Sequence, residues 1–203
     1  MTINASDTVQ AVGRRAAAGE ALARDAAAVA ETCYQMARRF HRGGKLMVFG
    51  NGTSATDAAH IAVEFVHPVI VGKRALPAMS LANDAATVTG VARAEDFDDV
   101  FLVQLRLLAD SADIALGLSP DGRCRNVLRA LHEAHERGLL TVALVGGDGG
   151  DIARSSAVDH VLVAQSTDPL VVKEVHVTTY HILWELVHVF FEQPGLLEPE
   201  VTP

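Results

Sequence analysis

Lys45-Leu46-Met47-Val48-Phe49-Gly50-Asn51-Gly52-Thr53-Ser54 is the stretch that decides the fold. An unbroken apolar run stops at a glycine-rich turn, and residues 54–65 then carry apolar side chains at helical spacing. A strand buried on both faces reads as a continuous run rather than an alternating one. Strand, tight turn and helix make the first half of a βαβ unit, and the pattern repeats. Apolar runs recur at 76–81, 114–118, 141–145 and 160–163. Helical segments lie at 85–91, 97–108, 125–137 and 169–191, with a short helical turn after Asp151. Strands alternating with helices predict right-handed crossovers and a parallel sheet covered on both faces.

Upstream, the first forty residues are rich in Ala and Arg, both strong helix formers, and predict one long or two consecutive helices ending at Gly43-Gly44. Downstream, residues 193–203 hold three prolines and are expected to be irregular. Neither repeats nor linkers interrupt the pattern. The fold class is therefore α/β, a three-layer α/β/α sandwich with an N-terminal helical extension. One domain is expected over residues 1–203, with helices at 1–43, the core and last helix at 44–192, and the tail at 193–203.

Composition narrows the function. Against 25 Asp and Glu stand 17 Lys and Arg, a formal net charge of −8, with no basic block. Nucleic-acid affinity comes mostly from cations neutralising phosphates, so no nucleic-acid partner is expected. With hydrophobic residues at 49%, the chain can build a core without staples. No run approaches the ~20 apolar residues of a membrane span, so no membrane partner is expected either. Cys33 and Cys124 form no CxxC pair, and the polar first ten residues lack the pattern of a secretory leader. The expected location is cytoplasmic.

In open parallel sheets ligands lie beyond the carboxyl ends of the strands. The 50–54 turn is such a place: its glycines allow close backbone approach, and the next helix offers free N–H groups and a positive dipole end. Asn51, Thr53 and Ser54 add side-chain donors; the competing reading is a tight turn with Ser54 as helix N-cap. The third glycine of a GxGxxG motif is missing, so no nucleotide cofactor is expected. On the following helix His60 and Glu64 stand at i and i+4, roughly 40° apart around the axis. Such a pair can hold a divalent metal or set a carboxylate base beside a donor. A solvated helix face is the alternative, against which Ala58, Ala59, Ile61, Ala62 and Val63 argue.

The turn at 118–126 again joins an apolar run to a helix. Ser119, its neighbouring N–H groups, Arg123 and Arg125 suit a phosphate, while Asp121 opposes one. Cys124 is read as a small buried thiol rather than a reactive one. Residues 146–150, Gly-Gly-Asp-Gly-Gly, read as a flexible turn. The last helix carries Lys173, Glu174, His176, His181 and His188, of which His176 and His188 are expected to be hydrogen-bonded helix contacts.

Gly50-Asn51-Gly52-Thr53-Ser54, Asp57-Ala58-Ala59-His60, Glu64, Ser119, Gly122, Asn126-Val127, Gly146, Asp148-Gly149-Gly150, Glu174-Val175-His176 and His181-Ile182-Leu183 together resemble the SIS (sugar isomerase) domain, and within it the phosphoheptose isomerase group. Their order and spacing carry the resemblance across nearly the whole chain. It implies a flavodoxin-like parallel sheet and a homotetramer with sites between subunits; the apolar N-terminal helices themselves predict self-association as homotetramer or dimer. It also implies a small phosphorylated sugar such as sedoheptulose 7-phosphate, isomerised between ketose and aldose, often with zinc. Asn51, Gly52, Thr53 and Ser54 then fall on a substrate loop, and Ser119, Asp121, Arg123 and Cys124 on a phosphate loop. His60, Glu64 and His181 match metal ligands, and Glu64 and His181 the acid/base pair.

The departures lie in the site. Ser119-Pro120-Asp121-Gly122-Arg123-Cys124 stands where the family has Ser-Thr-Ser-Gly-Asn-Ser: three hydroxyls fewer and one carboxylate more. Arg93-Ala94 replaces an Asn-Asp pair, and Lys173 a glutamine ligand. Protonated lysine has no lone pair, and its charge argues against zinc beside His60 and Glu64. The expectation is that Lys173, counted with Glu64 and His181 as catalytic, replaces the metal electrostatically, pairing with Glu64 or polarising a carbonyl. Arg93, Arg123 or Arg125 would then take the phosphate, these cations forming a basic cleft in an acidic shell. The alternative is a non-catalytic SIS protein, either a sugar-phosphate sensor or a protein-binding regulatory tetramer. A third reading is different chemistry through Lys173.

Overall fold

Five parallel strands form one sheet in the order β2-β1-β3-β4-β5. They are β1 (Leu46–Gly50), β2 (Ala78–Ser80), β3 (Ile114–Ser119), β4 (Leu140–Gly146) and β5 (His160–Ala164). The computed structural model describes residues 5–193 and 195–197, so most of the expected irregular tail, at 194 and 198–203, lies outside the described residues. Every residue of β1, β3 and β4 is buried, the physical reason their sequences are continuous apolar runs. The run at 76–81 shortens to three residues on the sheet edge, where Pro77, lacking an N–H, still accepts a hydrogen bond from Leu46 N.

Alternate side chains separate the two cores. Leu46 and Val48, with Leu116, Val142 and Leu144, face α2 (Ala26–His41), α3 (Thr53–Val66) and α8 (Pro169–Phe191). Met47 and Phe49, with Ala115, Ala143 and Val145, face the other layer. That layer holds α4 (Ala85–Ala94), a 3-10 turn at Phe97–Asp99, α5 (Leu102–Leu108), α6 (Arg125–Glu136) and α7 (Gly150–Ala153). Each fully buried Leu, Phe or Met contributes about 1.5–3 kcal/mol by leaving water. The N-terminal segment forms two helices, α1 (Ala5–Arg24) and α2, broken at Asp25, and α1 lays Ala18 against Val171, Val172 and Val175 of α8. Asp84 caps α4, accepting hydrogen bonds from the N–H groups of Ala86 and Thr87.

The strand order reverses between β1 and β3, so the crevice beyond their carboxyl ends is the switch point where ligands bind in open α/β sheets. The 51–53 turn and the 120–124 loop meet there. The 146–150 turn, expected to be flexible, is instead packed against that loop. Gly122 has φ +71°, and a Cβ built on it would lie 1.9 Å from the carbonyl oxygen of Gly149. The Ile152 N–H donates to the Gly122 carbonyl at 3.0 Å, pinning the contact. Gly122→Ala therefore adds left-handed strain to a steric clash and is expected to cost about 2–4 kcal/mol. Urea unfolding measures it, and a loss below about 0.5 kcal/mol would show that the two loops do not pack this closely.

Candidate active site

The helices α3 and α8 meet along one polar seam. Lys173 Nζ donates to Asp57 Oδ1, to the Thr53 carbonyl at 2.9 Å and to Thr56 Oγ1 at 3.4 Å. One step along, Tyr180 Oη and His60 Nδ1 are hydrogen-bonded at 2.7 Å, and His60 Nε2 lies 3.2 Å from Glu64 Oε1. Further on, Trp184 Nε1 donates to the Glu64 carbonyl at 2.9 Å, and His188 bridges the carbonyls of Trp184 and Arg74. Contacts advance together along both helices, so α3 and α8 run parallel with their N-termini side by side. Asp57, His60 and Glu64 at i, i+3 and i+7 share one face of α3, as Lys173, Tyr180 and Trp184 do on α8.

Buried within the seam, Asp57 is 4% exposed and its Oδ2 has no hydrogen-bond partner among the described residues. His176 is also buried, and its Nε2 lacks a partner among the described residues. Burial pulls the His176 pKa down, so the imidazole is held neutral. Burial, reinforced by Asp57 and Glu64, pushes the Tyr180 phenol well above its usual range, so its hydroxyl keeps its proton. Tyr180 Oη, able to donate or accept, couples to the tautomer of His60. Accepting from Nδ1–H, it leaves the Nε2 lone pair free; donating to Nδ1, it leaves Nε2–H to face Glu64.

His181 completes the cluster from α8. Its ring centroid lies 5.3 Å from that of His60 and 4.8 Å from that of Tyr180, both edge to face. Each of His60, Glu64 and His181 offers a ligand atom within 4.8 Å of the others. Beside them a cleft of about 460 Å³ is lined by Glu64, Val69, Ile70, Lys73, His181 and Trp184.

Two expectations are corrected here. Lys173 pairs with Asp57, not Glu64, because Asp57 and not Glu64 lies at the N-terminal end of α3, where α8 begins. Nor do the cations gather as a free basic cleft. Arg123 is bonded to Asp148 at 2.9 and 3.0 Å, and Arg125 to Asp98 at 3.0 Å. Arg93 stands exposed in the last turn of α4. Each paired arginine meets a carboxylate from another loop, which no local spacing reveals. The Gly150 N–H and Arg123 hold the Asp148 carboxyl below its usual range.

At the switch point Asn51 and Asn126 exchange reciprocal amide hydrogen bonds of 2.8 and 2.9 Å, locking the two turns together. Gly52, with φ +56°, and not Ser54, occupies the N-cap position of α3, and no side chain caps that helix end. Ser54 is buried and Thr53 exposed. Ser119 is buried, its hydroxyl 3.4 Å from both Asp121 Oδ1 and Cys124 N. Cys124 is half-buried against the core, as a packing thiol. Asp57, Tyr180 and Trp184 were given no role by sequence reasoning. The only signals were the i, i+3 spacing of Asp57 to His60 and of His181 to Trp184, since their partners lie more than a hundred residues away.

A family model of the SIS domain matches residues 12–146. The chain belongs to the SIS domain family. Among curated relatives, the phosphoheptose isomerase of Pelobacter propionicus is 42% identical over 181 residues, 89% of this chain and 94% of that protein. That of Thermodesulfovibrio yellowstonii is 39% identical over 168 residues, 82% of this chain and 83% of its own. Among solved structures, a phosphoheptose isomerase from Francisella tularensis superposes with TM-score 0.85 at 27% identity, covering 92% of this chain and all of that one. The phosphoheptose isomerase GmhA from Neisseria gonorrhoeae gives 0.82, also at 27%, covering 90% and 97%. This SIS-domain chain shares their parallel sheet and helices.

The ion pair is asymmetric, with side-chain exposures of 34% for Lys173 and 5% for Asp57. Lys173→Met strands a buried carboxylate and is expected to cost about 3–5 kcal/mol, whereas Asp57→Asn leaves an ammonium that reaches water and costs about 1–2. Chemical denaturation of the two variants reads the difference; equal losses would show that the pair is not arranged this way.

Proposed function

We infer that the protein is an aldose–ketose isomerase acting on a phosphosugar, with sedoheptulose 7-phosphate the leading candidate. The observation that carries this reading is the convergence of Glu64 and His181 from two helices on one cleft, in a chain 42% identical to a phosphoheptose isomerase. Isomerisation removes a proton from the carbon beside a carbonyl, moves a proton between the two oxygens and returns one to the former carbonyl carbon. No other atoms are gained or lost. Glu64, whose side chain is 12% exposed, takes the carbon-bound proton, and His181, at the cleft mouth, carries the oxygen-bound one. His60 Nε2 lies 3.2 Å from Glu64 Oε1, beside that carboxylate.

Two imidazoles and one carboxylate within ligand distance form a donor set that suits zinc and leaves a position open. The positive charge expected to repel a metal is spent on Asp57. His60, Glu64 and His181 would hold the ion, which when bound polarises the sugar carbonyl. Lys173 then serves as a positioning residue, tying the N-terminus of α8 to α3. On this reading Asn51, Gly52 and Thr53 contact the sugar from the first turn, and the 119–124 loop across the crevice receives the phosphate. Val9 and Val12 on α1, 70% and 62% exposed, support self-association as a tetramer or dimer. The free cysteines fit a cytoplasmic setting.

Purified protein, with and without added zinc, is expected to convert sedoheptulose 7-phosphate to an aldose 7-phosphate. Glu64→Gln should lower kcat by about 10²–10⁴ and stop solvent deuterium entering the product. No turnover by the wild type in either condition, or an unaffected Glu64→Gln enzyme, would overturn the reading.

A further inference from the structure

We propose that Asp121 is the specificity-determining residue of the β3–α6 loop, an internal anion that a phosphate must displace to enter. The proposal rests on the reading that this loop receives the phosphate. Asp121 Oδ1 accepts the Arg123 N–H at 3.0 Å and lies 3.4 Å from the Ser119 hydroxyl. That hydroxyl in turn lies 3.4 Å from the Cys124 N–H, at the entrance to α6. A carboxylate oxygen thus already engages donors that an incoming phosphate oxygen would use.

The guanidinium that could offset this charge is engaged elsewhere. Arg123 bonds both Asp148 oxygens and its own loop through the Asp121 carbonyl at 2.9 Å, while Asp148 accepts the Gly150 N–H at 3.2 Å. Nor can the backbone open readily, since Gly122 and Gly150 abut the facing loop with no room for a Cβ. Asp121 itself is exposed, so breaking these contacts lets its carboxylate turn out to water. Admission of phosphate is therefore a side-chain exchange on a fixed backbone, and like charge opposes it until Asp121 has turned away. The loop accordingly selects ligands that bring enough binding elsewhere, from sugar hydroxyls at the α3–α8 cleft, to move one carboxylate. A short phosphate ester with few hydroxyls cannot.

Calorimetry with inorganic phosphate tests this in the wild type, Asp121→Asn and Asp121→Ser. Asn keeps the turn to Arg123 N while removing the charge; Ser removes the occupying group and restores a hydroxyl. Phosphate is expected to bind both variants at least tenfold more tightly than the wild type. Equal affinity within twofold in all three proteins, or no phosphate binding by any, would overturn the proposal. Turnover of sedoheptulose 7-phosphate in the same proteins is a separate readout. Tighter phosphate binding without turnover would sink the isomerase reading and leave Asp121 in this role. Turnover with unchanged phosphate affinity would do the reverse.

Discussion

The parallel contact between α3 and α8 is the constraint on which the site depends. Nothing within either helix brings Glu64 and His181 together. They meet because Lys173 fastens the two N-termini through Asp57, Tyr180 sets the spacing at His60, and Trp184 closes the far end on the Glu64 carbonyl. Ile61, Phe65, Leu183 and Val187 pack the same seam into the core beneath. The polar contacts choose the register, and the apolar ones supply most of the stability.

The sheet decides where this seam opens. With β1 and β3 adjacent and their connections leaving to opposite sides, the carboxyl end of the sheet has one crevice, beside the N-termini of α3 and α6. The Asn51–Asn126 amide pair fixes its two walls. Two polar regions are thereby separated: His60, Glu64 and His181 sit along the α3–α8 seam, and the polar turns sit at the switch point. The same α3 borders both, its first turn at the crevice and its last at the cleft.

The fold was legible because β1, β3 and β4 are buried on both faces and must be apolar throughout, while glycines mark each turn. The pairing of His60 with Glu64 was legible for a local reason, helical spacing. What could not be read was partnership across elements. Helix phase places Lys173 on the α3 side of α8, but Asp57 and Glu64 share one face of α3, and only the parallel alignment selects Asp57. Arg123 and Arg125 looked like free cations because Asp148 and Asp98 approach them from other loops. The glycines at 146–150 suggested mobility, yet they serve close packing against Gly122.

The central claim is that Lys173 is neutralised by Asp57 and so leaves His60, Glu64 and His181 as a working trio. Zinc titration against a chromophoric chelator tests it most directly, using the wild type, His181→Ala and Lys173→Gln. The account predicts one zinc per chain in the wild type and loss of that zinc in His181→Ala. A wild type that binds no zinc, with binding gained only in Lys173→Gln, would contradict it by showing that the lysine charge still governs the site.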